Sequence, residues 1–266
     1  MSPTLRLPQW VACGEDPGWS VRYLRTEKGL SPTAELDDLN RRHMLNQSPH
    51  RFLYLLITLV AFVTLVPVLE ELGYGGMIFT ILVSTILLSA AYVVSGSRGY
   101  FFLALILAGP AFVLRWINDF WEGPWLVFVA DVLTILFLLV VAMLILSHVL
   151  KAERVSREKI FGALSVYLLL GVIWAFLFLF VDFLVPGSFR YGQDEALTGV
   201  EMVYYSFVTL TTLGYGDIVP ISPSARALAT LEAVTGQLFL TVLVARLVGL
   251  QITHSSRYRS EDQEKS

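Results

Sequence analysis

A polar stretch punctuated by glycine interrupts the apolar C-terminal half of the chain, where residues 209–217 read TLTTLGYGD. Glycine tolerates backbone dihedrals that penalise a Cβ atom, so Gly214 and Gly216 let a short strand turn successive carbonyl groups to one side. Such carbonyls, with the hydroxyl of Thr212 at one end, can replace the water shell of a dehydrated cation. The residues of this stretch whose oxygen atoms could serve in this way are Thr212, Leu213, Gly214, Tyr215 and Gly216.

The elements that position this stretch are predicted to be membrane helices. The chain has 266 residues, of which 55% are apolar and 15% charged, whereas soluble proteins have about 25% charged residues. A spanning helix needs about 20 apolar residues. Six blocks approach this length, which predicts an all-α membrane protein with six transmembrane helices: Phe52–Leu69, Tyr74–Val94, Tyr100–Ile117, Pro124–Ser147, Ile160–Val181 and Ala227–Ile252.

Basic residues predict the orientation, because cytoplasmic loops are enriched in Lys and Arg. With both termini inside, all of the 19 Lys and Arg residues except Arg115, Arg190 and Arg226 fall on the inner side. We expect a multi-pass protein of the plasma (inner) membrane with cytoplasmic termini. The basic stretch Lys151–Lys159 is expected to meet anionic lipid headgroups.

The predicted domain order has five parts. Residues 1–50 form a polar cytoplasmic segment, in which Ser31-Pro32 is typical of the start of an amphipathic helix. Residues 51–150 hold four helices, 151–159 a basic linker and 160–252 the last two helices with the polar stretch between them. Residues 253–266 form a short polar tail that we expect to be disordered.

Between the last two blocks, Met202–Leu213 is apolar but short. About a dozen helical residues span roughly 18 Å, which is half a bilayer. A half-length helix followed by irregular backbone is tolerated at membrane depth only when it is buried in protein or lines a water-filled path. This pattern predicts a re-entrant loop.

The pattern Thr209-x-x-Thr212-x-Gly214-Tyr215-Gly216-Asp217 resembles the T-x-x-T-x-G-Y-G-D signature of potassium channels. With its flanking helices the resemblance covers about residues 160–252, and the chain is similar to prokaryotic-type six-helix channels with a voltage-gated-like pore. It implies a homotetramer that conducts K+ passively, binds potassium ions at Thr212, Leu213, Gly214 and Tyr215, and needs no other cofactor and no nucleic acid.

The same resemblance implies supporting residues around the filter. The hydroxyls of Tyr204 and Tyr205 are expected to reach Tyr215 and Asp217 and hold the filter open, and Thr209 belongs to the same support. The sequence departs from the common pattern at two positions: Leu213 stands where valine is usual, and Val208 where some members carry a carboxylate.

In the last helix, Gly236 occupies the position of a hinge glycine in similar channels, although a helix-packing glycine is the alternative. Steps of three or four residues place one stripe of side chains along this helix, predicted to line the inner cavity and gate: Gln237, Leu240, Val244, Val248 and Ile252. Glu232 is expected to be a buried structural carboxylate near the pore helix.

The first four helices lack a voltage sensor of the usual kind, because Pro124–Leu150 contains no Lys or Arg. Asp131 is expected to pair with a hydrogen-bond donor on a neighbouring helix, with a protonatable role as the alternative. We therefore predict a potassium-selective channel that is not conventionally voltage-gated. Two alternatives are a weakly selective cation channel and a non-conducting or transporter-type subunit. No catalytic cluster in the sequence points to an enzyme.

Overall fold

The computed structural model describes residues 51–69, 75–95, 98–118, 123–150, 157–192 and 197–264. All of them lie in one compact unit, Asn40–Ser266. The predicted N-terminal segment 1–50, with its amphipathic helix, lies outside the described residues. So does most of the basic linker, of which the structure describes Arg157 to Lys159.

Seven helices and two short strands make up the described residues. In chain order they are α1 (Arg51–Leu69), α2 (Gly75–Val94), α3 (Arg98–Asn118), α4 (Pro124–Leu150), α5 (Arg157–Leu184), β1 (Phe189–Tyr191), α6 (Gly199–Leu210), β2 (Ile218–Pro220) and α7 (Pro223–Glu264).

Five helices are long and apolar enough to cross a membrane, namely α1, α2, α4, α5 and the first part of α7, Pro223–Arg246. The third apolar stretch in chain order is shorter, because α3 contributes only the segment Phe102–Asn118. The predicted all-α membrane fold is confirmed. A sixth span through α3 stays a prediction.

Local sequence explains where several helices begin. Pro124 and Pro223 stand at the first positions of α4 and α7, where a missing N–H costs nothing. Ser222 caps α7, since its Oγ accepts a hydrogen bond from the Ala225 N–H at 3.2 Å. The expected disorder after His254 was wrong: α7 continues to Glu264, because neither Gly nor Pro interrupts residues 250–264.

Helix α5 connects the first four helices to the polar stretch. It packs against α1 and α4, which precede it in the chain, and against α6 and α7, which follow it. Two of its side chains, Phe176 and Phe178, are fully buried, as are Phe62 on α1 and Phe137 on α4. Helix α5 therefore contacts both the preceding helices and the C-terminal elements.

Candidate cation-conduction site

The site is built on α6, whose first turn is fixed by a capping box. The Thr198 N–H donates to Oε2 of Glu201 at 2.6 Å, and the Val200 N–H donates to Oγ1 of Thr198 at 3.2 Å. The spacing Thr-x-x-Glu is the sequence signal for this start, although it is not among the predictions made above. The helix has 12 residues, so its length of about 18 Å is half a bilayer.

The C-terminal end of α6 turns the chain into the TLGYG segment. The backbone N–H groups of Leu213 and Gly214 both donate to the carbonyl of Val208, at 2.9 and 3.3 Å. The Thr212 N–H donates to the carbonyl of Thr209 at 2.9 Å. The carbonyls at this end carry the negative end of the helix dipole, which favours a cation nearby.

Every second residue of the segment has a positive φ angle: 60° at Thr212, 59° at Gly214 and 80° at Gly216. Thr212 is the only residue other than glycine with positive φ in the described part of the chain. A β-branched residue is strained in this region, and such strain concentrates at functional sites. Residues 211–217 are all exposed in the single chain.

Tyr204 stabilises the C-terminal end of the segment. Its hydroxyl donates to Oδ2 of Asp217 at 2.7 Å, and Oδ1 of Asp217 accepts from the Ile218 N–H at 3.0 Å. The hydrogen bond to Asp217 raises the pKa of Tyr204 to about 12, so the hydroxyl remains a donor at neutral pH.

Tyr205 does not share the contact of Tyr204 with Asp217 within the chain, and the expected contact of its hydroxyl with Tyr215 stays a prediction. Tyr205 is buried with its ring 5.0 Å from that of Phe178 and 5.4 Å from that of Phe189. Successive residues of a helix point about 100° apart, so only one tyrosine of the pair can face Asp217. Thr209, one turn further on, lies next to the Tyr205 hydroxyl.

A small antiparallel sheet also links the C-terminal end of the segment to the chain that follows α5. Strand β2 follows Asp217 directly and pairs with β1, with Tyr191 opposite Ile218. Beyond the strands, the Ile221 N–H donates to the carbonyl of Ser188 at 2.7 Å, and the Ser188 N–H donates to Oδ1 of Asp182 at 3.1 Å. The segment is therefore held by hydrogen bonds before Thr212 and after Asp217.

Two neighbouring residues of α7 contact the N-terminal end of the segment. A Cβ atom on Gly236 would lie 2.3 Å from the carbonyl oxygen of Leu210, the last residue of α6. Nε2 of Gln237 donates to Oγ1 of Thr212 at 3.3 Å. Close packing at Gly236 is thus an observed role, and the predicted hinge stays a prediction.

A buried acid connects three helices behind the segment. Glu232 on α7 is fully buried, and its Oε1 lies 2.5 Å from Oγ of Ser206 on α6. The same Oγ lies 2.7 Å from the carbonyl oxygen of Gly171 on α5. Glu232 is therefore a buried carboxylate beside α6, as expected from the sequence.

The other residues predicted to line the cavity lie further along α7. Leu240, Val244 and Val248 are exposed in the single chain, as a cavity lining requires. Ile252 lies on the same helix, in a part whose side chains are not described. Their role in the cavity and gate stays a prediction.

A buried ion pair joins α3 and α4. The guanidinium Nη2 of Arg115 lies 2.6 Å from Oδ1 of Asp131, with the two side chains 7% and 8% exposed. The Arg115 guanidinium also lies over the rings of Phe79 and Phe176, 5.8 and 5.1 Å from their centroids. The expected donor partner of Asp131 on a neighbouring helix is confirmed.

Comparison with known proteins shows that the C-terminal elements resemble an ion channel family. Residues 162–250 match the family model described as an ion channel. Over 98 residues (36% of this chain and 21% of the relative), the chain is 33% identical to two-pore potassium channel 5 of Arabidopsis thaliana. It is 31% identical over 93 residues (35% and 28%) to a voltage-gated potassium channel of Aeropyrum pernix.

A third relative is the calcium-gated potassium channel TvoK of Thermoplasma volcanium, 30% identical over 97 residues (36% of this chain and 25% of the relative). The chain thus spans no more than 28% of the length of these curated relatives. No solved structure matches the chain. Residues 162–250, which run from α5 to α7, are therefore similar to the ion channel family and to parts of these potassium channels.

Proposed function

We propose that the chain is a potassium-selective channel that conducts K+ passively through a filter made of residues 212–216. The observation that carries the proposal is the alternation of φ at Thr212, Gly214 and Gly216. A β-strand turns successive carbonyls to opposite sides, whereas alternating left-handed and right-handed residues turn them the same way. One side of the segment then offers a row of oxygens to a dehydrated cation. Bound potassium ions are the only cofactor that this proposal needs.

The proposed channel is a homotetramer, because one chain supplies one strand and a ring of oxygens needs several. Two observations support a neighbouring copy. Leu213 and Tyr215 are 59% and 68% exposed in the single chain. Only 11% of the apolar window of α7 is buried within the chain, against 56% of that of α5. Irregular backbone at membrane depth must be covered by protein or line a water-filled path, and a ring of copies provides both.

The proposed channel is not conventionally voltage-gated. Steep voltage dependence needs several charges that move in the field, each worth about 2.3 kcal/mol per 100 mV. Helix α4 has no Lys or Arg. In the described helices before α5, the buried Arg115 is paired with Asp131, so the pair carries no net charge.

The arrangement in the membrane is also proposed here. The first four helices (51–150) form a non-sensing domain, and residues 160–252 form the pore domain. The termini lie on the cytoplasmic side of the plasma (inner) membrane. The basic linker up to Lys159 contacts anionic headgroups, which attract Lys and Arg near the membrane surface.

Potassium flux from liposomes tests the proposal. The purified full chain is reconstituted in liposomes loaded with KCl, and K+ release is compared for the wild type, Gly214→Asp and Gly187→Asp. Gly187 is a matched control: its φ is +77°, against +59° at Gly214, and a Cβ at either position meets nothing within 4 Å. We expect release from the wild type and the control, and none from Gly214→Asp.

Equal release from all three proteins would refute the assignment of the filter. Reversal potentials in mixed K+ and Na+ then separate the alternatives. Equal permeability to both ions indicates a weakly selective cation channel. Absence of any release from the wild type indicates a non-conducting or transporter-type subunit.

A further inference from the structure

We propose that Gln237 is a positioning residue for the innermost cation site of the filter, which it tunes by holding the hydroxyl of Thr212. This inference rests on the proposed function. It assigns to Gln237 more than a place in the cavity lining: its side-chain amide sets how strongly the inner end of the filter binds a cation of the size of K+.

The contact itself is the first observation. The side-chain amide of Gln237 donates to Oγ1 of Thr212 at 3.3 Å. A threonine hydroxyl has one hydrogen and two acceptor positions. When Gln237 occupies one acceptor position, the hydroxyl can no longer rotate freely, and the second acceptor position is left for a cation.

The second observation explains how α7 comes close enough. The residue before Gln237 is Gly236, and the carbonyl oxygen of Leu210 fills the space that a Cβ would need, at 2.3 Å. The end of α6 therefore lies directly on the backbone of α7. This close approach brings the long side chain of Gln237 to the first residue of the filter.

The third observation is that Thr212 needs support. Its φ of 60° is costly for a β-branched residue, and such a conformation persists only where surrounding contacts hold it. Thr212 itself is exposed in the single chain, so little packing from its own chain restrains it. Within the described residues, the contacts that hold it are its backbone bond to Thr209 and the side-chain bond from Gln237.

Positioning a ligand group in advance strengthens binding, because the freedom of that group is not lost when the ion binds. The probe is Ba2+, a divalent cation close to K+ in size, which should inhibit K+ flux when it occupies the innermost site of the proposed filter. Its half-inhibiting concentration is measured on the reconstituted full chain. The variants are Gln237→Leu, which has no donor, and Gln237→Asn, whose amide is one methylene too short to reach.

The matched control is Thr230→Val on the same helix, since among the described residues the Thr230 hydroxyl bonds to the Arg226 carbonyl alone, one turn back, at 2.9 Å. We expect both Gln237 variants to need about fivefold more Ba2+, the loss that one neutral hydrogen bond implies. The control should match the wild type. In a Thr212→Ala background, Gln237→Leu should have no further effect, because a residue that acts through the hydroxyl has nothing left to hold.

A shift of less than twofold in both Gln237 variants overturns the inference, and so does an equal shift with or without the Thr212 hydroxyl. Calorimetric titration of the purified proteins with BaCl2 makes the same comparison for a variant that folds without conducting. Absence of K+ flux in the wild type is a different result, because it rejects the proposed function and the inference with it.

Discussion

Replacing Gly236 by alanine adds one methyl group where α7 meets the end of α6. The added Cβ would lie 2.3 Å from the Leu210 carbonyl oxygen and 3.0 Å from Leu210 Cδ1. Ordinary contacts of this kind begin at 3.4 Å. A backbone oxygen cannot rotate away as a flexible side chain can, so one helix must move by roughly 1 Å.

The expected change in the stability of Gly236→Ala combines two opposing effects. Overpacking of a well-packed contact costs about 1–3 kcal/mol. Alanine in a helix interior regains about 1 kcal/mol relative to glycine. Gly249 provides the control on the same helix, because a Cβ there meets nothing within 4 Å. We expect Gly249→Ala to gain the helix term alone, so the two variants should differ in stability by about 1–3 kcal/mol, with Gly236→Ala the less stable.

Thermal unfolding of the purified proteins, followed by circular dichroism in detergent, measures this difference. The midpoint of Gly236→Ala should fall several degrees below that of Gly249→Ala. Potassium flux should fall as well, because moving α7 stretches the Gln237–Thr212 bond. If Gly236→Ala unfolds at or above the temperature of Gly249→Ala, α7 does not contact α6 as described. An unchanged unfolding midpoint together with slower channel opening would instead support the hinge predicted at Gly236.

Three further predictions concern the Tyr204–Asp217 bond, the ion pair and the response to voltage. Tyr204→Phe removes the bond to Asp217 and should lower K+ over Na+ selectivity in reversal-potential measurements. Because the pKa of Tyr204 is raised to about 12, the Tyr204–Asp217 bond of the wild type should persist up to pH 10 and be lost only as the pH rises through 12. Arg115→Leu or Asp131→Asn alone should destabilise the protein by about 3–5 kcal/mol in thermal unfolding, whereas replacing both with leucine should restore most of the loss. Conductance plotted against voltage should rise without the steepness of several gating charges, and a slope equivalent to three or more charges would contradict the role given to α4.

The sequence predicts the parts of the site that depend on local chemistry. The half-length helix follows from the length of an apolar run, and the positive φ angles at Gly214 and Gly216 follow from what glycine tolerates. The capping box at Thr198 and the continuation of α7 to Glu264 were also readable, because both depend on residues close in the chain.

The remaining features depend on contacts between elements distant in the chain. The bond from Ser206 to Glu232 joins residues 26 apart, and the bond from Gln237 to Thr212 joins residues 25 apart. Neither pair has a spacing that a single sequence marks as a contact. The positive φ of Thr212 is of the same kind, since a β-branched residue is disfavoured there and only tertiary contacts keep it.

The pairing of β1 with β2 gives the segment between Leu210 and Ile218 a fixed length. One end is bonded to α6 through the Val208 carbonyl, and the other end is registered residue by residue against β1. One inserted residue would slip this register and turn the side chains of β2 to the opposite face. We therefore expect an insertion between Leu210 and Ile218 to disturb the site through the strand pairing, even where it leaves every residue type unchanged.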